Sequence, residues 1–85
     1  MNIFVAKLNF NTKEEELKQL FEQYGDVISA RIITDRVTHK SKGFGFVDMY
    51  DDEKARQAIS ELDGIEFKGR MIAVSEARPR DERSN

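Results

Sequence analysis

Residues 42–49 alternate strictly between two kinds of position, which predicts a β-strand with one buried face. One face holds Gly43, Gly45, Val47 and Met49. The other face holds Phe44, Phe46 and Asp48. Val47 and Met49 are predicted to enter the core, and Gly45 to let a helix pack closely against the strand. The two phenylalanines are then left on the uncovered face, where a patch of this kind usually has a use.

The pattern also predicts three further strands. Ile3–Leu8 alternates, with Ile3, Val5 and Leu8 predicted inward and Phe4 on the face of Phe44 and Phe46. Val27–Thr34 is rich in β-branched residues, which favours a strand. Its register stays open because of two adjacent apolar pairs, at 27–28 and 32–33, and Arg31 is expected on the phenylalanine face. Met71–Ala77 is the last predicted strand, with Ile72 and Val74 inward.

A first helix is predicted from apolar residues spaced i, i+3, i+4 and i+7. These residues are Leu17, Leu20, Phe21 and Tyr24. Thr12 is the expected N-cap, with Glu15 completing a capping box. Gly25 is expected to end the helix in the C′ position.

A second helix follows from the same spacing later in the chain. Its apolar face comprises Ala55, Ala58, Ile59 and Leu62. Asp51 or Asp52 is the expected cap, and Asp63-Gly64 is expected to stop the helix. The two alanines suit close packing on the sheet near Gly45. Residues 65–69 are predicted to form a short turn or hairpin.

The resulting order β-α-β-β-α-β predicts an α+β fold, a split βαβ (ferredoxin-like) sandwich. Four antiparallel strands form the sheet, and both helices cover one face. The first and third strands are then central neighbours, which places Phe4 beside Phe44 and Phe46. Residues 1–77 are expected to form this domain, and the polar residues 78–85 a tail that is disordered in isolation.

Composition and charge narrow the functional classes. The 85 residues contain no cysteine, which excludes disulfides, thiolate metal sites and cysteine nucleophiles, and no metal or cofactor is predicted. The net charge of −2 is unevenly distributed, with +3 in residues 31–42 and −5 in residues 48–66. The predicted helices are therefore acidic, while the strands and their connection are basic. No signal peptide and no apolar run of about 20 residues is present, so a cytoplasmic protein with no membrane partner is expected.

Catalysis receives little support from the sequence. The single histidine has no plausible nucleophile–base–acid set around it, and no Walker loop or His-Glu-x-x-His pair occurs. Acyl-phosphate hydrolases share the predicted sandwich, but they need a glycine loop with an arginine after the first strand. Residues 9–12 contain neither, so the protein is predicted not to be an enzyme.

Two segments resemble the RNA recognition motif family. Lys42–Met49 resembles its eight-residue signature, in which aromatic residues alternate with glycine or alanine after a basic residue. Ile3–Leu8 resembles its six-residue partner. Met49 stands where the family usually has an aromatic residue, and Lys7 replaces the usual asparagine. The chain is similar to the short single-domain RNA-binding proteins of bacteria.

The resemblance implies binding of single-stranded RNA on the open sheet face, for post-transcriptional regulation in the cytoplasm. Phe4 and Phe46 would each stack on a base, Phe44 would pack on the sugars between them, and Lys42 would pair with a phosphate. The further expected contacts are Lys7, Arg31, Arg36, Lys40, Asp48, Arg78 and Arg80. Asp48 would accept a hydrogen bond from a base or pair with a neighbouring lysine or arginine.

Other outcomes stay open from the sequence. His39 is expected to be a plain exposed side chain, and Phe10 and Phe67 to pack in the core or at its edge. Single-stranded DNA is an alternative ligand. The alternative function is a protein–protein interaction module on the same fold, with a protein partner on the acidic helical face.

Overall fold

The computed structural model of the protein describes residues 1–77. The predicted tail over residues 78–85 lies outside the described residues, and so do Arg78 and Arg80.

Six strands and two helices make up the described chain. They are β1 (Asn2–Ala6), α1 (Glu14–Glu22), β2 (Val27–Thr34), β3 (Ser41–Met49), α2 (Asp52–Leu62), β4 (Glu66–Phe67), β5 (Arg70–Met71) and β6 (Ala73–Glu76). Four strands form one antiparallel sheet in the order β2-β3-β1-β6, and β4 pairs with β5 in a separate hairpin. The predicted sandwich is confirmed, with β1 and β3 at the centre. Neither described helix has the length and apolar character needed to cross a membrane.

The core lies between the sheet and the two helices. Its buried apolar residues are Ile3, Val5, Leu8, Leu17, Phe21, Val47, Met49, Ala55, Ala58, Leu62, Ile72 and Val74. Each of these residues is one that the alternation or the helical spacing predicts to point inward. The burial of these side chains, at about 25 cal/mol per Å² of apolar surface, is the main favourable term for the fold.

The pairing of β1 with β3 decides which side chains share a face. Phe4 lies opposite Phe46, while Ile3 lies opposite Val47 and Val5 opposite Gly45. Directly opposite residues of an antiparallel pair point to the same side of the sheet. The inward and outward sets of the two strands therefore agree across the whole pair.

Two irregularities settle the register of β2, which the sequence left open. Val27 pairs with Met49 but Ser29 pairs with Asp48, so one residue of β2 is extra at Ile28. A second shift separates the pairs made by Ile32 and Thr34. The first apolar doublet thus coincides with a bulge in β2, where two neighbouring residues need not alternate. At the second shift, Ile33 alone stands against residues 42–44, so the extra residues belong to β3.

The ends of α1 differ from the prediction by one or two residues. Lys13 is the N-cap, and its backbone N–H donates to the Glu16 carboxylate at 2.9 Å. The predicted pair of Thr12 and Glu15 was wrong. The Thr12 hydroxyl is buried and forms no hydrogen bond among the described residues, and the backbone N–H of Thr12 donates to the Asn9 carbonyl. The helix ends before Gly25, and the Tyr24 N–H closes a tight last turn on the Phe21 carbonyl.

Gly25 does not have the predicted C′ role, because its backbone is not left-handed.

The predicted ends of α2 agree with the structure. Asp51 is the cap, its Oδ1 accepting from the N–H groups of Glu53 and Lys54 at 2.8 and 3.2 Å. Gly64 follows the helix with φ +87°, as a C′ glycine should.

The segment between α2 and the last strand is a hairpin. Lys68 and Gly69 both have positive φ, which is the conformation of a two-residue type I′ turn between β4 and β5. Met71 belongs to this hairpin and is 62% exposed, so the last strand begins at Ala73 and not at Met71. The predicted start was wrong because β-propensity does not show where a strand changes partner.

Gly45 has a different role from the predicted one. A Cβ at this position would overlap the Arg31 carbonyl oxygen and lie 3.2 Å from the Ile32 Cα, both in β2. The close approach is thus to a neighbouring strand and not to a helix.

We expect Gly45→Ala to lower the free energy of unfolding by about 1–3 kcal/mol, the usual cost of overpacking, because backbone atoms cannot move aside. Chemical denaturation of the purified variant measures this change. Gly25→Ala is the control, since its nearest neighbour is the Lys54 side chain, which can move. Equal stabilities of the two variants would contradict the assigned role of Gly45.

Candidate nucleic-acid interface

Three phenylalanines form one cluster on the open face of the sheet. The ring centroid of Phe4 lies 5.7 Å from that of Phe44 and 5.4 Å from that of Phe46. The planes are tilted by 50° and 49°, and all three side chains are half-buried. We call Phe4, Phe44 and Phe46 the aromatic platform. Its rings expose faces in different directions, so separate flat ligands can stack on separate rings.

The predicted cations on the sheet occupy the edges of this platform. Arg31 lies opposite Phe46 in the β2–β3 pair, which confirms its predicted face. Lys42 is exposed and precedes Phe44 by two residues on the same strand. Lys7 follows β1 and is exposed. The structure therefore brings three positive side chains to the aromatic side of the sheet.

Lys7 reaches its position through a left-handed backbone, with φ 62°. This single residue turns the chain so that Leu8 is buried directly after the strand. The L-configured Cβ makes this conformation costly, and asparagine tolerates it better than lysine. Lysine at this position therefore adopts a strained backbone conformation and adds a positive charge beside the platform.

Asp48 also faces the open side, but its partner differs from those considered from the sequence. Its Oδ1 lies 3.6 Å from the α-amino nitrogen of Met1. The same ammonium donates to the Met49 carbonyl at 2.7 Å and lies 3.3 Å from Asp52. Asp48 remains partly exposed beside this pair. It can still accept a hydrogen bond from a ligand on the sheet.

The remaining predicted cations lie on the connection between β2 and β3. Arg36 and Lys40 are exposed, and His39 is exposed with φ 63°, which confirms its predicted exposure. Asp35 orders the connection, because its Oδ1 accepts from the N–H groups of Val37 and Thr38 at 2.8 and 3.0 Å. The bonds from Thr38 and Val37 lower the pKa of Asp35 below its usual value.

Two side chains beside the platform, Phe10 and Arg70, were not among the contacts predicted from the sequence. Phe10 is 63% exposed, so it packs only at an edge, against Gly43, and not in the core. Arg70, in the hairpin, joins Phe10, Lys7 and Lys42 around one cleft. The position of Phe10 outside any apolar periodicity was a signal of exposure. Nothing in the local pattern indicates Arg70, because the hairpin brings it there from the far end of the chain. Phe67 packs against the core as predicted.

A family model for the RNA recognition motif matches residues 3–73, which include both strands of the platform. The chain belongs to the RNA recognition motif family. It is 47% identical over 91% of its length to the glycine-rich RNA-binding protein 8 of Arabidopsis thaliana, and it covers 46% of that protein. It is 40% identical over 98% of its length to the putative RNA-binding protein RbpE of a Nostoc species, and it covers 84% of that protein.

Solved structures agree with this assignment. A crystal structure of the RNA-binding protein PG1 is 55% identical, with a TM-score of 0.91 over 96% of this chain and 99% of the other. The Sex-lethal protein in complex with RNA is 34% identical, with a TM-score of 0.88 over 95% and 48%. The chain thus spans about half of some relatives and most of others. It is an RNA recognition motif protein, and the two relatives above are named as an RNA-binding protein and a putative RNA-binding protein.

Within residues 1–77, no group of three or more His, Asp or Glu side chains is arranged to hold a metal ion.

We expect Lys7→Asn to raise the free energy of unfolding by about 1 kcal/mol, because asparagine relieves the left-handed strain. Thermal and chemical denaturation of the variant measure the gain. Lys7→Ala is the matched control, since alanine removes the charge but keeps the Cβ penalty. If the alanine variant is as stable as the asparagine variant, the backbone of Lys7 is not strained in the way proposed.

The turn at Asp35 should depend on pH in the acidic range. Since folding lowers the pKa of this carboxyl, the turn is fully stabilised above the unfolded value of 3.8 and is lost as pH falls through the lower folded value. The backbone amide resonances of Val37 and Thr38, followed by NMR, should titrate with a midpoint below 3.8. Asp35→Asn should abolish that titration. A midpoint at or above 3.8 would contradict the two hydrogen bonds.

Proposed function

We propose that this protein binds single-stranded RNA on the open face of its sheet. The observation that carries the proposal is the aromatic platform, three half-buried rings whose neighbouring centroids lie within 6 Å of each other. Unstacked bases bind such rings because every base has a π-face, and each stacked base contributes about 1–3 kcal/mol. A site of two to four nucleotides fits the sheet.

The three rings would make different contacts with the RNA. Phe4 and Phe46 lie directly opposite each other on the two central strands, and each would stack on one base. Phe44 lies two residues from Phe46 and would pack on the sugars between those bases. Because the ring planes are tilted by about 50°, bases that are splayed apart would fit them better than bases in one continuous stack.

Phosphate contacts would come from the cations around the platform. Lys42 and Lys7 stand at one end of it, and Arg31 stands beside Phe46. Arg36 and Lys40, on the connection after β2, are placed to add contacts to a longer strand. Because many of the acidic residues lie on the helices, much of the repulsive charge lies away from the bound RNA, although the Asp48 carboxylate is on the open face. The electrostatic part of binding should be modest and should weaken with salt.

The relatives support the same reading. Two proteins that this chain covers by more than four fifths are named as putative RNA-binding proteins, and the Sex-lethal neighbour was solved with RNA. We extend this to a role in post-transcriptional regulation and to residues 1–77 as the binding domain. A cytoplasmic location stays a prediction, since one relative is named as mitochondrial. Binding of single-stranded DNA and of a protein on the acidic helices also stay predictions.

We expect Phe44→Ala and Phe46→Ala to weaken RNA binding about tenfold or more, because Phe46→Ala removes the ring that stacks on one base and Phe44→Ala removes the ring that packs on the sugars between the bases. Fluorescence anisotropy with a labelled, randomised RNA hexanucleotide pool measures the affinity. Tyr50→Ala is the matched control. Tyr50 is also exposed, at 70%, but lies four residues beyond Phe46, about 13 Å along an extended strand.

Parental affinity in both phenylalanine variants would contradict the platform as the binding surface. A DNA pool of the same length, titrated in parallel, tests whether the 2′-hydroxyl matters. A parent that binds neither pool would contradict the proposed function itself. Circular dichroism melts of each variant separate lost binding from lost folding.

A further inference from the structure

The open face of the sheet is apolar at one end of the central strands and polar at the other. At the apolar end, Phe44 lies opposite Ala6. At the polar end, Asp48 lies between Asn2 of β1 and Ser29 of β2, and directly paired residues point to the same side of the sheet. We call Asn2, Ser29 and Asp48 the polar row, because each of the three side chains can form hydrogen bonds.

The polar row runs alongside two rings of the aromatic platform. Asp48 follows Phe46 by two residues, and Asn2 precedes Phe4 by two residues. Residues two apart in a strand share a face and lie about 7 Å from each other. A base centred on one of these rings extends over about half of that distance, so its edge would lie within hydrogen-bond reach of the polar row.

The charges around the platform favour one orientation of a bound base. Lys7 and Lys42 lie around the cleft beside Phe44, at the apolar end, where they would hold phosphates. The Watson–Crick edge of a base lies across the ring from its sugar. A base whose sugar and phosphate lie at the apolar end would therefore direct this edge toward the polar row.

Asp48 is the acidic member of the polar row, and its carboxylate is open to a ligand. The side chain is 42% exposed, and its Oδ1 lies 3.6 Å from the Met1 ammonium, which is longer than a hydrogen bond. An ionised carboxylate only accepts hydrogen bonds, and its two oxygens can accept from two parallel donors. Since the carboxylate also repels phosphates, it favours binding only where a base donates to it.

Guanine is the base whose Watson–Crick edge matches an ionised carboxylate. This edge carries two neighbouring donors, the N1–H and the N2 amino group. Adenine and cytosine present one amino donor beside a ring nitrogen that accepts, and uracil presents one imide donor between two carbonyls. Each of these three bases would set an acceptor against a carboxylate oxygen, whereas guanine would form two hydrogen bonds with it.

We propose that Asp48 selects guanine as the base that stacks on Phe46. The two carboxylate oxygens would accept from N1–H and the N2 amino group. The O6 atom of guanine, beside N1–H, would accept from a neighbouring side chain of the polar row, which carries a donor at each end. The inference rests on the proposed function, since it needs RNA on the open face with a base over Phe46.

Four fluorescein-labelled RNA hexanucleotides test the inference on the full chain by fluorescence anisotropy. One is hexauridylate, and the others replace its third residue by guanosine, adenosine or cytidine. We expect the parent to bind the guanosine RNA about tenfold more tightly than the other three, the effect of one bidentate contact to a base. Asp48→Asn should bind all four RNAs with affinities within about twofold of each other, because its amide opposes one guanine donor with a donor of its own.

Asp52→Asn is the matched control for the loss of one negative charge. Asp52 also lies beside the Met1 ammonium, at 3.3 Å, but it belongs to α2 and not to the open face. This variant should keep the guanine preference. Asp48→Thr should lose it, since threonine favours strands but has no carboxylate, and this variant keeps the test valid if Asp48→Asn lowers the melting temperature.

The outcomes separate this inference from the proposed function. Equal binding of the four RNAs by the parent would overturn the guanine preference and leave the platform intact. A preference that persists in Asp48→Asn and Asp48→Thr would also overturn it, because another group would then read the base. Equally tighter binding of all four RNAs by these variants would overturn it too, because the carboxylate would then only repel phosphates. A parent that binds none of the four would overturn the proposed function itself.

Discussion

The antiparallel pairing of β1 with β3 determines both halves of this molecule. In that register Ile3 and Val47 point into the core, while Phe4 and Phe46 meet on the opposite face. A slip by one residue would reverse every side chain of the pair, burying the rings and exposing the aliphatic residues. The hydrophobic free energy of the core therefore also holds the aromatic platform in place, and the surface needs no separate scaffold.

Much of this arrangement could be predicted because alternation is a local property. The alternation within each strand shows that Phe4, Phe44 and Phe46 point away from the core. The order of elements then makes the two strands neighbours. The apolar doublets of β2 could not be assigned to one face of the sheet in the same way. Alternation cannot say which member of a pair such as Val27-Ile28 bulges, since that depends on the partner strand.

The features that escaped prediction depend on contacts between distant segments. Gly45 is needed because the backbone of β2 passes close by, and Thr12 is lost as a cap because its side chain is buried. Arg70 reaches the candidate site only through a hairpin fixed to the loop after β1. Lys7 is another such case, because its left-handed backbone belongs to the turn that buries Leu8 directly after β1.

The central claim is that the sheet face, and not the helical face, meets the nucleic acid. Titration of the ¹⁵N-labelled protein with a single-stranded RNA hexanucleotide pool, followed by NMR chemical shifts, tests it directly. The account predicts the largest amide shift changes in β1 and β3, with α1 and α2 nearly unchanged. Changes concentrated on α1 and α2, with β1 and β3 unaffected, would contradict it.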